Sequence, residues 1–222
     1  HEVGAAGLSY KAGNRFLAAA RGRSSQQAVC LDSSGGSYSL PAHSLPSARG
    51  QGEPLTGRLS PPAGARFVSV LLPEEQGQYL LASDAGYGFV VRAEDLQARG
   101  KAGKVLLSLP EGARILPPWP VRDLAQSLLA ALTADGRLLL FPLDGLPQLA
   151  KGKGNRIIGL TGEERLQALA VLPAGASLVV QAGRRSLTLK PAELEHYRGE
   201  RGRRGRLLPR GFQRVEALTV SG

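Results

Sequence analysis

Four short basic segments recur at one fixed interval, and that interval restricts the folds open to this chain more than any other feature. Arg49-Gly-Gln-Gly-Glu-Pro-Leu55, Arg99-Gly-Lys-Ala-Gly-Lys-Val-Leu106, Lys151-Gly-Lys-Gly-Asn-Arg-Ile157 and Arg201-Gly-Arg-Arg-Gly-Arg-Leu207 each place a base, a glycine and then an aliphatic residue. The anchoring glycines, Gly52, Gly103, Gly154 and Gly205, are 51 positions apart at every step. A period of this length is the signature of one supersecondary unit stacked repeatedly, as in blades or solenoid turns. The last copy is the most charged: seven arginines against one acid, Glu200, between Arg198 and Arg214, or +6 of the whole chain's +10. Alone, such a run reads as a solvated tail. A tail has no reason to keep the phase of three segments upstream.

Within each period the same strand, turn, strand pattern returns. It is seen as Ala28 to Leu31 and Ser37 to Leu40 around Asp32-Ser-Ser-Gly-Gly36, and as Tyr79 to Ser83 and Phe89 to Arg92 around Asp84-Ala-Gly86. It recurs as Leu128 to Thr133 and Leu138 to Phe141 around Asp135-Gly136, and as Leu178 to Gln181 and Leu187 to Lys190 around Ala182-Gly183. Asp and Gly between aliphatic runs mark a tight turn, so each pair is expected to be an antiparallel hairpin. A Leu-centred connector follows each hairpin, then the basic segment and a short aliphatic run; Phe67 to Leu72, Leu166 to Leu172 and Val215 to Val220 supply further strands. The expectation is an all-β, propeller-like array of about five blades of four strands, in one domain of units spanning about 1–26, 27–76, 77–125, 126–175 and 176–222. The first unit is incomplete, because Gly13 lies only 39 positions before Gly52. Ser60-Pro-Pro-Ala-Gly64, Leu109-Pro-Glu-Gly112, Pro117-Pro-Trp-Pro120 and Pro173-Ala-Gly175 read as exposed turns between strands.

Residue types that carry chemistry are sparse. His1, His43 and His196 stand apart from one another and from the single cysteine, Cys30, without metal-ligand spacing. Cys30 lies in the apolar run Ala28-Val-Cys-Leu31 and reads as a small core residue; a lone cysteine suits a reducing cytoplasm. Gly100-Lys-Ala-Gly-Lys104 lacks a phosphate loop's frame, since position 98 is Ala and Val105 follows the lysine. No apolar run has the length of a membrane span, and the start at His1 has no secretory leader pattern. These features point to a binding module that holds no metal or cofactor of its own.

Strong positive charge in phase points to a polyanion. Bases at one place on successive blades would line a rim, where each phosphate contact is modest and their sum is strongly salt-dependent. The candidate contacts are Arg49, Arg99, Lys101, Lys104, Lys151, Lys153, Arg156, Arg201, Arg203, Arg204 and Arg206. Aromatic residues make up only 5% of the chain, which favours duplex over stacked single strands. The competing reading is a propeller that docks proteins and has no affinity for duplex.

Several runs also resemble a known family. Gly7-Leu-Ser-Tyr-Lys-Ala-Gly13, Leu45-Pro-Ser-Ala-Arg-Gly-Gln-Gly-Glu-Pro-Leu-Thr-Gly57, Ala82-Ser-Asp-Ala-Gly-Tyr-Gly-Phe89, Leu146 to Ile157 and Gly199-Glu-Arg-Gly-Arg-Arg-Gly205 closely resemble the C-terminal domains of ParC, the A-type subunit of bacterial DNA topoisomerase IV, which are relatives of the DNA gyrase A tail. The resemblance implies a β-pinwheel, a propeller-like disc that binds duplex DNA on its rim and presents it to a type IIA topoisomerase core. It places strand cleavage, magnesium and ATP in the N-terminal part of the parent ParC chain and in the B-type subunit of topoisomerase IV, which would be this domain's partners. It also implies a domain monomeric in isolation, within a parent that is cytoplasmic, nucleoid-associated and peripheral to the inner membrane. The gyrase tail's Gln-Arg-Arg-Gly-Gly-Lys-Gly box has no match here, the nearest stretches being Arg99 to Val105 and Glu200 to Leu207. The resemblance therefore implies decatenation and relaxation in place of gyrase-like wrapping.

Overall fold

In a computed structural model, residues 27–44 and 59–222 are described; Arg49, the segment around it and the incomplete first unit lie outside them. In chain order the strands are β1 (Gln27–Asp32), β2 (Gly36–Pro41), β3 (Phe67–Leu71), β4 (Gln78–Ala82), β5 (Tyr87–Arg92), β6 (Lys104–Val105), β7 (Trp119–Val121) and β8 (Leu128–Thr133). They continue as β9 (Arg137–Pro142), β10 (Asn155–Arg156), β11 (Leu166–Leu172), β12 (Ser177–Ala182), β13 (Arg185–Leu189), β14 (Arg206–Leu207) and β15 (Ala217–Ser221). All four expected hairpins form: β1 with β2, β4 with β5, β8 with β9, and β12 with β13. Their turns are built locally. Asp32, for instance, accepts hydrogen bonds from the Ser34 amide at 2.7 Å, the Gly36 amide at 3.0 Å and the Tyr38 hydroxyl. With the Ser34 hydroxyl as a fourth donor, this buried carboxylate fixes the turn, whereas one without donors would oppose burial.

The hairpins form four sheets, the first to fourth blades of the described residues, ordered β3-β1-β2-β6, β10-β5-β4-β7, β11-β8-β9-β14 and β13-β12-β15. In the first three sheets the strand beside the first hairpin strand comes from the chain leading to the next hairpin, and in the fourth it is the last strand, β15. In those three the strand beside the second hairpin strand comes from further on, out of the basic segment that follows the next hairpin. Each basic strand therefore completes the preceding blade and not its own, an exchange between units that makes the array a β-pinwheel.

Hydrophobic cores lie between neighbouring sheets. Along β1, Val29 and Leu31 face Tyr79, Leu81, Phe89 and Val91, while Cys30 faces the opposite way, toward Tyr38, Leu40 and Phe67. Along β8, Leu129 and Ala131 enter one inter-blade cluster, and Ala130 and Leu132 the next. With both faces covered, these strands read as unbroken apolar runs without polar alternation. Cys30 is fully buried, and burial pushes its thiol up to about 12, so it is a packing residue held protonated.

The connector leucines serve as plugs. Leu96 ends the helical turn α1 (Ala93–Leu96), Leu194 ends α2 (Pro191–Leu194), and Leu146 follows a single 3-10 turn; all three are buried. One expectation fails. The second half of the expected turn Pro117-Pro-Trp-Pro120 is not a turn: Trp119 and Pro120 open strand β7, antiparallel to β4, with Pro120 opposite Tyr79. Proline is tolerated because β7 is the outermost strand of its sheet, where the missing N–H would have faced outward.

Candidate nucleic-acid interface

The 51-residue spacing of the anchoring glycines has a steric cause. Gly103, Gly154 and Gly205 adopt φ of 63°, 82° and 79°, a left-handed conformation that glycine enters without penalty. A Cβ on them would lie 2.4 Å from the Ser37 carbonyl oxygen, 2.1 Å from that of Gly88 and 2.7 Å from that of Leu138. Each basic segment thus presses its backbone onto the hairpin of the preceding blade. Immediately beyond the glycine, β6 pairs with Gly36 and Ser37, β10 with Gly88 and Tyr87, and β14 with Leu138 and Arg137. Hairpin-turn carbonyls complete the clamp: Leu107 donates to Gly35 at 2.9 Å, Ile157 to Gly86 at 2.7 Å and Leu208 to Gly136 at 2.9 Å.

Successive segments are also bonded to one another. Gly152 donates to the Leu106 carbonyl at 3.0 Å and accepts from Ser108 at 2.9 Å. Gly202 donates to the Ile157 carbonyl at 2.9 Å, and Gly159 to that of Arg203 at 2.8 Å. The basic segments form a continuous edge with a rigid backbone, so their side chains start from fixed positions.

The bases on this edge differ in freedom. Arg99, Lys101, Lys151, Lys153, Arg156 and Arg206 are exposed and pair with no acid among the described residues. Arg201 is exposed and donates to the Arg156 carbonyl at 2.8 Å. Lys104 is half-buried, its ammonium donating to the Asp95 carbonyl at the end of α1, which leaves it less free for a ligand. Arg203 pairs with Glu200 at 3.3 Å, both exposed, a contact of little worth in water.

Arg204 is different. It pairs at 3.3 Å with Glu164, whose side chain is only 7% exposed and whose Oε2 also accepts from the Thr161 amide at 3.0 Å. The other oxygen, Oε1, is buried without a donor. Asp135 lies nearby; burial works to raise its carboxyl, but the hydrogen bond it accepts from the Thr133 hydroxyl and the Arg137 charge outweigh this and hold it below the ordinary range. A depressed carboxylate contributes stability that is present at neutral pH and lost as pH falls through its folded value. Nothing in the sequence marked Glu164, which is remote from the basic segment and meets it only through the fold. We expect Glu164→Gln to free Arg204 and tighten polyanion binding by about threefold, and that gain to vanish in an Arg204→Gln background when the two are combined in a double-mutant cycle.

The tyrosines divide in the same way. Burial raises the phenols of Tyr38, Tyr79 and Tyr197, that of Tyr38 with help from Asp32. The Tyr87 phenol is lowered, by the Arg156 guanidinium first and by Lys153 as well. Among the described residues no three His, Cys, Asp or Glu side chains are grouped to hold a metal, and no helix is long and apolar enough to cross a membrane.

Strand-exchanged blades with a basic outer edge define the class of β-pinwheel domains, and comparison with known proteins agrees. Residues 78–116 and 128–173 match the family model of the DNA gyrase C-terminal domain, beta-propeller. The chain is 66% identical over 99% of its length to the A-type subunit of DNA topoisomerase 4 from Pseudomonas aeruginosa, and 48% identical over 99% to that from Escherichia coli. It spans 30% of the length of each of these relatives. Among solved structures, that of the E. coli ParC C-terminal domain superposes with a TM-score of 0.86 at 48% identity, covering 100% of this chain and 92% of that one. A DNA gyrase A C-terminal domain superposes at 0.69 with 10% identity over 90% of this chain and 67% of that one, a likeness of fold alone. The chain belongs to the family of topoisomerase IV ParC C-terminal domains.

Proposed function

We propose that this chain is a non-catalytic module that binds and bends duplex DNA along its basic edge. In the parent type IIA topoisomerase it would hold the transported duplex and so tune decatenation and supercoil relaxation. The observation that supports this most is the bonded series of basic segments: their glycines fix the backbone to the blades, so exposed Lys and Arg side chains recur at intervals on one edge. Phosphates contacted this way position a duplex without reading its sequence. A curved edge compensates the elastic cost of bending with added contacts. Strand cleavage, magnesium and ATP belong, in this reading, to the rest of the parent ParC chain and to the B-type subunit. The lack of a match to the gyrase box favours relaxation and decatenation over wrapping.

The salt dependence of duplex affinity tests the reading. With six or more phosphate contacts, log K against log salt concentration should fall with a slope of about −5 or steeper, with little preference among sequences. A slope near zero, or stoichiometric capture of one protein in place of duplex, would support the docking-platform alternative.

A further inference from the structure

The three basic strands do not meet the same surroundings. On the first blade Val105 of β6 lies opposite Gly36, and on the third Leu207 of β14 lies opposite Arg137. That Arg137 is already committed, to Asp135 at 3.7 Å and to the Gly205 carbonyl at 3.4 Å. Only on the second blade does a cation, Arg156 of β10, lie opposite an aromatic residue, Tyr87 of β5. Arg156 Nη2 donates to the Tyr87 hydroxyl oxygen at 3.2 Å, and Lys153 Nζ stands over the same ring at 4.2 Å from its centroid.

Three features of this cluster point to a ligand. First, Arg156 uses the phenol oxygen as an acceptor, so the Tyr87 hydrogen is left to donate, and among the described residues nothing accepts it. Second, among the described residues no carboxylate pairs with Lys153 or Arg156 although both crowd one ring. The negative face of the ring offsets part of the repulsion between them and holds both in place. Third, Arg156 is preorganised, because its carbonyl accepts from Arg201 and its aliphatic stem lies 3.8 Å from where a Cβ on Gly202 would be. An ammonium, a guanidinium and a phenol hydrogen, all donors with no acceptor among them, match an anion with several oxygens.

We propose that Tyr87, Lys153 and Arg156 form a seat for one backbone phosphodiester of duplex DNA, with the Tyr87 hydroxyl donating to a phosphate oxygen. This rests on the duplex-binding reading and makes the second blade its anchor point. The lowered phenol supplies an independent readout. Arg156 and Lys153 favour tyrosinate, whereas a phosphate that takes the phenol's hydrogen bond favours the neutral form, so bound duplex should move the Tyr87 ionisation back upward.

The test uses the 222-residue chain, ring-labelled on tyrosine, with the Tyr87 NMR signal assigned by its absence from Tyr87→Phe. Titrations are run alone, with saturating short duplex and with inorganic phosphate. Saturating duplex is expected to raise the ionisation midpoint of Tyr87. Tyr87→Phe is expected to weaken duplex binding about fivefold with an unchanged salt slope, since one neutral donor to a charged acceptor is lost. Arg156→Gln should also reduce the slope, by about one. A midpoint unmoved by duplex, or equal affinities of Tyr87→Phe and the unaltered chain, would overturn the seat while leaving the basic edge standing. A shift with inorganic phosphate and none with duplex would overturn its assignment to DNA. If the unaltered chain binds no duplex, the reading of the edge fails and the seat with it.

Discussion

A variant carrying Arg201→Glu, Arg203→Glu, Arg206→Glu and Arg204→Gln should bind duplex DNA about a hundredfold to a thousandfold more weakly than the unaltered chain at near-physiological salt, with a salt slope shallower by about three or four. Arg204 takes Gln because a carboxylate there would face the buried Glu164. None of the four arginines packs in a core, and all are exposed, so the sheets should persist. The effect is large because the contacts lie in one series and the release of counterions adds across them. Measuring affinity at several salt concentrations, with thermal melting as the control for folding, decides the matter. An affinity loss of less than about threefold, with the slope unchanged, would mean that the most charged segment of the chain does not touch DNA.

Replacing Gly154 by valine should lower stability by on the order of 3 kcal/mol or more, because it adds left-handed strain to a backbone collision. At φ of 82° a Cβ would lie 2.1 Å from the Gly88 carbonyl oxygen, and that oxygen belongs to the strand that β10 must pair with. The melting midpoint should fall by roughly 10 °C in a domain of this size. Gly100→Ala is the control. Gly100 has φ of 77° with nothing within 4 Å of its would-be Cβ, so it suffers the strain alone and should cost about 1 kcal/mol. If the two variants melted alike, close packing against the previous blade would not be what holds the 51-residue phase. Because β10 carries Arg156, the Gly154 variant should also lose duplex affinity out of proportion to its charge, which is unchanged.

Much of the fold is legible in the residues because it is local. Asp32 bonds the amides of its own turn and Asp135 accepts from the Thr133 hydroxyl two positions before it, and the aliphatic runs beside these turns become strands within a residue or two of expectation. The connector leucines recur in phase in the sequence, and the fold buries them, as at Leu96 and Leu194. Trp119 to Val121 misleads because proline is ordinarily turn chemistry, and only an outermost strand, a property of the whole sheet, can accept it. The candidate site is legible in a similar proportion. Phase and charge locate the basic segments, but Arg49 lies outside the described residues, and the differing states of Lys104, Arg204 and Arg156 cannot be read from their spacing.

By itself, then, the sequence determines the hairpins, their 51-residue rhythm and the placement of bases just around a glycine. These depend on turn chemistry and on short apolar runs, which a chain carries wherever it is placed. Tertiary structure alone decides that each basic strand crosses to the preceding blade, that Glu164 reaches Arg204, and that Tyr87 stands under Lys153 and beside Arg156. Those pairings join residues some 40 to 70 positions apart, and they are fixed by which sheets share a core and by which backbones a glycine lets come into contact.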